Sequence, residues 1–362
     1  MPTDRNRTSR PAAIGLLAAL CALLLGACGG ASHGASTNRH TRTRAAGAAA
    51  PALSVLPPPL TTRTAVSLVL DFTPNAVHTG IYTAIADGFY TREHIDLHVI
   101  VPSETQDPLT MVDAGKVDFG LADGSDLANL IAKGGRVKGV MAIAQRPLGG
   151  LITRASEHLA SPAALQGKIV GVTGVASDYA VLDTEVADAG GNPSKVHVIT
   201  VGYDGAEALR AGKINAFTGF WPADGVQLQV TGEPVKSFKL DEWGGPPYPG
   251  LVAFTQDSTI ARDPALVRDF VAATVRGYQQ TLRQPESSLR DLLEQNPEVE
   301  AKVAKASLAD YLPLYDDAGT VAFGTIQPAH IDALSRWMLA HKLIDTPVPF
   351  AKYGTNRFLP KG

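Results

Sequence analysis

Residues 97–123 read LHVIVPSETQDPLTMVDAGKVDFGLAD, and residues 196–220 repeat the pattern as VHVITVGYDGAEALRAGKINAFTGF. Each stretch begins with a short β-branched run and continues through a polar turn into an amphipathic helix that ends in AGK. Each then finishes in a second apolar run. The glycine of AGK, Gly115 or Gly212, supplies the positive φ that ends a helix. Each stretch is therefore predicted to form a β-α-β crossover.

The similarity between the two halves extends upstream of these stretches. AVSLVLDFTPN from Ala65 and GKIVGVTGVAS from Gly167 both read as strands that run into loops at the start of helices. Alternation of strands and helices in two similar halves predicts an α/β fold with two lobes and mostly parallel sheets. A ligand cleft is expected between lobes that face each other.

Turn-rich segments mark the two places where the chain crosses between the lobes. They read RPLGGLITR at residues 146–154 and WGGPPYPGLVAFT at residues 243–255, and two neighbouring crossings would form a hinge. The predicted bounds are 64–150 plus 256–362 for a discontinuous lobe 1 and 151–255 for lobe 2. The C-terminal part is mostly helical, with Asp263 as an N-cap, and is predicted to pack back on lobe 1.

The first 62 residues are predicted to direct export. Three arginines precede an apolar run at residues 12–25, and LGAC follows at residues 25–28, an order typical of a secretory signal peptide. LGAC resembles a bacterial lipobox, which implies a signal peptide at residues 1–27 and a lipidated Cys28. An ordinary signal peptide with a chance cysteine is the alternative. Residues 28–62 then form a flexible tether at the extracytoplasmic face of the cell membrane.

Composition and motifs exclude several classes of function. The formal net charge is −3 and the charges are scattered, so there is no basic stripe for nucleic acid. The chain has no nucleophile elbow, no phosphate-binding P-loop and no H-E-x-x-H motif. Its two cysteines, Cys21 and Cys28, provide no metal-binding cluster. We expect no catalytic residue, no cofactor and no metal, and a monomer that binds a small molecule.

Ligands of open α/β sheets collect at the loops that follow the carboxyl ends of the strands. Four such loops are located at residues 71–78, 123–126, 173–179 and 220–224. Together they would line the cleft with aromatic rings, carboxylates and hydroxyls, which suits a flat, neutral or cationic heteroaromatic ligand. The residues predicted to contact it are Asp71, Phe72, Asn75, His78, Asp123, Ser125, Thr173, Asp178, Trp221 and Tyr248.

Four of these residues also have a structural interpretation. Trp221 follows an apolar run and precedes a proline, so its ring lies either in the cleft or in a core. Tyr248, between two prolines, has the same two interpretations. Phe72 could share the buried face of its strand with the leucines before it. His78 either contacts the ligand or is a structural residue near the start of a helix.

The series PNAVHTG…GFY…DPL…AGKVD, between residues 74 and 118, resembles a family of substrate-binding proteins. These share a domain with yeast-type thiamine pyrimidine synthases and with aliphatic sulfonate binders. The resemblance covers residues 64 to about 290 and is closest to proteins that deliver formyl-aminopyrimidine precursors to an ABC importer. It implies a type II periplasmic-binding-protein fold with two Rossmann-like lobes, together with permease and ATPase partners.

Within the family motif D-W-x-P-N-x-x-H, Asn75 and His78 match directly and Phe72 stands at the aromatic position. Trp221 falls where the resemblance implies a binding loop in the second lobe. One departure affects the ligand: relatives often read YYEL, with a glutamate suited to an aminopyrimidine, where this chain reads YPGL and has Gly250. A thiamine pyrimidine precursor is the predicted ligand, and riboflavin or a sulfonate is the alternative.

Two other functions remain open at this point. A synthase-like enzyme would be expected to consume pyridoxal phosphate, to use a histidine at the position of His78 and to carry a cysteine-rich motif. The mature chain has no cysteine beyond Cys28, which favours transport. The second alternative is a lipoprotein that presents the same fold to a sensor or to a cell-wall partner.

Overall fold

The computed structural model describes residues 57–104 and 106–361. The predicted signal peptide, Cys28 and most of the predicted tether lie outside the described residues. The strands are β1 Thr64–Val69, β2 Ile95–Ile100, β3 Phe119–Ala122, β4 Val137–Ala144, β5 Gly149–Arg154, β6 Ile169–Val172, β7 His197–Thr200, β8 Ala216–Phe220, β9 Val235–Lys239 and β10 Leu251–Gln256.

Helices connect and cover these strands. They are α1 Thr79–Ala86, α2 Phe89–Arg92, α3 Asp107–Asp113, α4 Gly124–Ala132, α5 Ala176–Asp188, α6 Gly205–Arg210, α7 Val226–Val230, α8 Asp257–Arg262, α9 Pro264–Arg283, α10 Pro285–Gln295, α11 Ala301–Tyr315, α12 Pro328–Ala340 and α13 Phe350–Tyr353. Among the described residues, no helix is both long and apolar enough to span a membrane.

The strands form two five-stranded sheets of the same design. Their orders are β2-β1-β3-β10-β4 and β7-β6-β8-β5-β9. Neighbouring strands are parallel except in the pairs that contain β10 or β5, each of which runs against both of its neighbours. The repeated sequence pattern therefore predicted the two α/β lobes correctly. The sheets are mixed and not mostly parallel, because two of the four strand pairs in each sheet are antiparallel. The antiparallel strand of each sheet is the first one that follows a crossing between lobes.

The two crossings lie slightly earlier in the chain than the turn-rich segments predicted. β5 begins at Gly149 and belongs to the second sheet, whereas β10 pairs with β3 and β4 in the first sheet. The prediction for residues 251–255 is therefore wrong: they belong to the sheet of lobe 1 and not to lobe 2. β10 is buried along almost its whole length, and such a continuous apolar run carries no alternation that identifies its partner strands.

Local signals at helix ends were predicted correctly. Gly115 and Gly212, which follow α3 and α6, have φ values of +68° and +69°, a conformation that costs a glycine little. The side chain of Asp263 caps α9 by accepting the backbone N–H of Leu266 at 3.0 Å. These features depend on a few neighbouring residues, so the sequence alone determines them.

Helix α9 packs across lobe 1 and holds the first predicted ligand loop in place. Phe270 stacks on Phe119 of β3 with ring centroids 3.8 Å apart. Gly80 admits the ring of Tyr278, because a Cβ atom there would lie 2.3 Å from Tyr278 Cγ. The Tyr278 hydroxyl then donates to the carbonyl oxygen of Val77 at 2.8 Å. The C-terminal helices thus fix the backbone of residues 71–78.

Candidate functional site

A cavity of about 140 Å³ lies between the two lobes, and all four predicted loops contribute to its lining. The predicted contact residues that line it are Asp71, Phe72, Asn75, Asp123, Ser125, Thr173, Asp178 and Tyr248. His78 and Trp221 do not belong to the lining. The lining also includes residues that were not predicted, among them Asp126, Tyr203, Phe217, Asp224 and Tyr311.

The polar part of the lining is acidic. Five carboxyl groups face the cavity, and none of its described lining residues is Lys, Arg or His. In the part of the chain that the structure describes, no three His, Cys, Asp or Glu side chains lie close enough to hold a metal ion. The five acidic residues are Asp71, Asp123, Asp126, Asp178 and Asp224. The lining therefore suits a ligand that brings hydrogen-bond donors or positive charge.

Internal hydrogen bonds hold these carboxyl groups in fixed positions. Asp123 caps α4, and its Oδ1 accepts the backbone N–H and the hydroxyl of Ser125 at 2.7 and 2.5 Å. Asp178 in lobe 2 likewise accepts the N–H and the hydroxyl of Thr173 at 2.7 and 2.6 Å. Because chain donors already orient these groups, a ligand meets acceptors that need little rearrangement.

Burial changes the titration of four of the carboxyl groups. It raises the pKa of Asp224 to about 6 and raises the pKa of Asp178 and Asp123 above the usual range. The pKa of Asp126 is raised by burial and then by the negative charge of Asp123. Each raised pKa shows that ionising the buried carboxyl group costs free energy unless a hydrogen-bond donor or a positive charge lies beside it. A cationic or donor-rich ligand would supply that partner.

His78 lies behind Asp71. It is fully buried, and its Nδ1 accepts the backbone N–H of Asn75 at 3.2 Å. The other ring nitrogen, Nε2, therefore carries the proton and donates it to Asp71 Oδ1 at 2.8 Å. Both ring nitrogens are therefore hydrogen-bonded within the chain. His78 supports Asp71 instead of making the predicted contact with the ligand. Asp71 keeps about 10% side-chain exposure and faces the cavity.

Trp221 also differs from the sequence expectation. β8 ends at Phe220, and a helical turn begins at Trp221. The indole packs against the core of lobe 1, and the Nζ atom of Lys239 lies 3.8 Å from its ring centroid. Phe217 and Phe220 supply the aromatic lining from β8 instead. Neighbouring residues at the end of a strand point in different directions, so a shift of one position removes a side chain from the site.

Contacts across the cavity join the two lobes. The rings of Phe72 and Tyr203 meet edge to face at a centroid distance of 4.7 Å, and the Tyr203 hydroxyl donates to the carbonyl oxygen of Asp71 at 3.4 Å. On another side, the hydroxyl of Ser177 donates to Asp126 Oδ1 at 2.7 Å. Tyr203 and Ser177 belong to lobe 2 and their partners to lobe 1, so the lobes are closed over the cavity.

Gly250 does not line the cavity. A Cβ atom at this position would lie 2.3 Å from the backbone oxygen of Arg146, so the backbone here has no room for a side chain. Tyr248, two residues earlier, is buried in the lining and stacks on Trp337 of α12 with centroids 6.4 Å apart. Position 250 therefore supplies no carboxyl group, and the carboxyl groups of the cavity come from other positions.

Comparison with known proteins gives a family match over more than half of the chain. The family model described as NMT1/THI5 like matches residues 75–288. The formylaminopyrimidine-binding protein of Halalkalibacterium halodurans is 26% identical over 288 residues, which cover 78% of this chain and 87% of that protein.

Two further relatives have other functions in their names. The 4-amino-5-hydroxymethyl-2-methylpyrimidine phosphate synthase of Legionella pneumophila is 27% identical over 301 residues, with 82% of this chain and 92% of that protein covered. The riboflavin-binding protein RibY of Chloroflexus aurantiacus is 27% identical over 328 residues, with 87% and 92% covered.

Among solved structures, the alkanesulfonate-binding protein SsuA from Xanthomonas axonopodis pv. citri bound to MOPS is similar to this chain. The TM-score is 0.67 at 14% identity, and the match covers 82% of this chain and 99% of that chain. This likeness concerns the fold alone, which is the two-lobed α/β fold of periplasmic binding proteins, as the sequence resemblance implied.

Proposed function

The chain belongs to the NMT1/THI5-like family, and from this membership and its acidic, aromatic cavity we propose that it is the solute-binding protein of an ABC importer. Its ligand would be a thiamine pyrimidine precursor, an aminopyrimidine. The ligand binds between the lobes, the lobes close over it, and the closed form is recognised by the permease and its ATPase. The relatives that bind formylaminopyrimidine and riboflavin support a binding role.

The proposal rests mainly on the charge of the cavity. Five carboxyl groups line it, and none of the described lining residues is basic. A 4-aminopyrimidine offers amino N–H donors and a ring nitrogen that can take up a proton, and both suit carboxyl acceptors. Its flat faces suit the rings of Phe72, Tyr203 and Phe217. An alkanesulfonate would instead bring a fixed negative charge, and two like charges 4 Å apart repel by about 4 kcal/mol at an effective dielectric constant of 20.

The size of the cavity favours a single ring. Its volume of about 140 Å³ is close to that of an engineered apolar cavity, roughly 150 Å³, that accepts benzene. The three fused rings of a flavin would need the lobes to stand farther apart than the contact between Phe72 and Tyr203 allows. A pyrimidine ring is close in size to benzene, so this volume favours a pyrimidine over a flavin.

We propose binding without chemistry. Pyridoxal phosphate, which the synthase branch of the family consumes, does not fit this cavity. No lysine among the described lining residues is available to form a Schiff base, and no lining cation would pair with the phosphate. His78 has both ring nitrogens occupied by the chain, so it is poorly placed to act on a ligand.

The location of the protein is also part of the proposal. The lipobox-like LGAC at residues 25–28 supports lipidation of Cys28 and anchoring at the extracytoplasmic face of the membrane. A monomer tethered in this way would capture ligand beside the permease. Neighbouring permease and ATPase genes would favour this role over that of a sensor lipoprotein.

Calorimetry on the full-length protein in detergent tests the function. The ligands are 4-amino-5-hydroxymethyl-2-methylpyrimidine, its formylaminomethyl counterpart, riboflavin and an alkanesulfonate. We expect micromolar or tighter binding of the pyrimidines, about −8 kcal/mol or better, and no measurable binding of the sulfonate. Binding of the sulfonate alone would refute the proposal, and binding of riboflavin alone would assign the protein to flavin uptake.

A further inference from the structure

Tyr311 brings a hydroxyl group to the cavity that no sequence pattern indicated. The residue lies in α11, is fully buried and belongs to the lining. Its Oη atom is buried without a hydrogen-bond partner among the described residues. Buried polar groups in folded proteins are nearly always paired, so an unpaired one that faces a binding cavity points to a ligand.

A second tyrosine of the same helix, in contrast, has a hydroxyl group that is paired within the chain. Tyr315 is also fully buried, but its hydroxyl donates to the carbonyl oxygen of Ala76 at 3.0 Å. Buried polar atoms of Glu185 and Trp221 also have no partner among the described residues, yet neither residue lines the cavity. Thr218 of β8 also lines the cavity with a buried, unpaired hydroxyl, but this hydroxyl lies beside the carboxyl group of Asp178 and lowers its pKa. Tyr311 combines the unpaired hydroxyl with a position in the site.

The surroundings of Tyr311 make its hydroxyl a donor. Burial raises its pKa well above the usual range, and the nearby charges of Asp71 and Asp224 raise it further, so the proton stays on Oη. Three other lining hydroxyls are already used, because those of Ser125, Thr173 and Ser177 donate to Asp123, Asp178 and Asp126. Helix α11 also contacts the helical turn at residues 221–225, which holds Asp224, and the turn at residues 76–78, which holds the partner of Asp71. Tyr311 therefore offers the cavity a donor near two acceptors.

The two acceptors are fixed in place by the chain. Asp71 Oδ1 accepts the proton of His78 Nε2 at 2.8 Å, and Asp224 Oδ2 accepts the backbone N–H of Phe220 at 2.8 Å. A ligand group that satisfies this end of the cavity must accept one hydrogen bond and donate another. A hydroxyl group does both, and so does a formamide, through its carbonyl oxygen and its N–H.

We infer that Tyr311 recognises the polar substituent of the pyrimidine, a hydroxymethyl or formylaminomethyl group, by donating its phenolic proton to the oxygen of that group. Asp71 or Asp224 accepts the single proton that the same group donates. The inference rests on the proposed function and adds a determinant of specificity to it: a ring that carries only a methyl group at this position leaves Tyr311 unpaired and binds more weakly.

The test compares two ligands that differ in one oxygen, 4-amino-5-hydroxymethyl-2-methylpyrimidine and 4-amino-2,5-dimethylpyrimidine. Calorimetry is done on the full-length wild type, on Tyr311→Phe and on the matched control Tyr315→Phe. We expect the wild type to prefer the hydroxymethyl compound by about tenfold or more, the size of one well-placed hydrogen bond. In Tyr311→Phe this preference should largely disappear, mainly through weaker binding of the hydroxymethyl compound.

The control should behave differently. Tyr315→Phe loses the hydrogen bond to Ala76, so its melting temperature should fall while the preference remains. Tyr311→Phe removes no hydrogen bond within the described chain, so it should melt at or above the temperature of the wild type. A melting curve for each variant shows that it is folded before its affinities are compared.

Each failure has a separate meaning. If the wild type binds neither pyrimidine, the proposed function fails. If the wild type binds both equally well, or Tyr311→Phe weakens both by the same factor, the ring of Tyr311 only supports the wall and the inference is wrong.

Discussion

Nε2 of His78 lies 2.8 Å from Oδ1 of Asp71, and only Asp71 faces the cavity. The histidine is fully buried and fixed from the other side by the backbone N–H of Asn75. The pair resembles the orienting arrangements found behind metal ligands and catalytic groups, in which a buried partner holds the exposed one at the required angle.

Replacing His78 by alanine should weaken ligand binding although the side chain does not line the cavity. Asp71 would lose its internal donor, and the partly buried N–H of Asn75 would lose its acceptor, at a cost of up to about 1–3 kcal/mol each. We expect a lower melting temperature and a higher Kd in calorimetry. His98→Ala, at an exposed position of β2, is the control; if His78→Ala bound like this control, the supporting role would be wrong.

Stability should fall as the pH rises through the acidic range. Burial raises the pKa of Asp224 to about 6 from the usual value of 3.8, so between these two pH values the folded protein binds more protons than the unfolded chain. Under this linkage the free energy of unfolding decreases with rising pH. Raised pKa values of Asp123, Asp126 and Asp178 act in the same direction.

Asp224→Asn tests this pH dependence, because asparagine resembles the protonated carboxyl group and does not ionise. Thermal melts of the ligand-free protein at pH 4, 5, 6 and 7 should show a smaller decline for this variant than for the wild type. Asp345→Asn, at an exposed position, should keep the full decline. An unchanged slope in Asp224→Asn would mean that Asp224 titrates like an exposed aspartate.

Closure of the lobes should depend on the aromatic contact between Phe72 and Tyr203. The edge-to-face pair at 4.7 Å is expected to contribute about 0.5–1.5 kcal/mol beyond the area that it buries. Tyr203→Ala should therefore raise Kd by roughly threefold to tenfold, mainly through faster ligand release. Stopped-flow fluorescence measures the release rate.

The matched variant Tyr203→Phe keeps the ring and loses only the hydroxyl, whose bond to the carbonyl oxygen of Asp71 is long at 3.4 Å. Because it keeps the aromatic contact with Phe72, it should release ligand more slowly than Tyr203→Ala. Equal release rates for Tyr203→Ala and the wild type would show that the contact does not hold the lobes together.

Lipid anchoring is tested at Cys28. Cys28→Ala should remove the thiol that the lipobox resemblance implies is acylated, so the protein should leave the membrane fraction for the soluble exported fraction. The mass of the intact wild-type protein from membranes should exceed that of its processed chain by the mass of the lipid. Membrane retention of Cys28→Ala, with no added mass in the wild type, would favour an ordinary signal peptide.

The sequence by itself determined the parts of this protein that depend on neighbouring residues. The repeated β-α-β pattern, the positive-φ glycines after α3 and α6 and the cap at Asp263 are local features. The four strand-end loops could also be located, because carboxyl ends of parallel strands meet at one edge of a sheet. Eight of the ten selected side chains accordingly line the cavity.

Only the tertiary structure decided which side chains face the ligand. His78 lies behind Asp71, and Trp221 packs on the core of lobe 1 while Phe220, its neighbour in sequence, lines the cavity. Tyr311 reaches the site from helix α11, which follows the second lobe in sequence and contacts elements of both lobes. The physical reason is that local patterns fix backbone conformation, whereas the direction and partners of a side chain depend on elements that are distant in the chain.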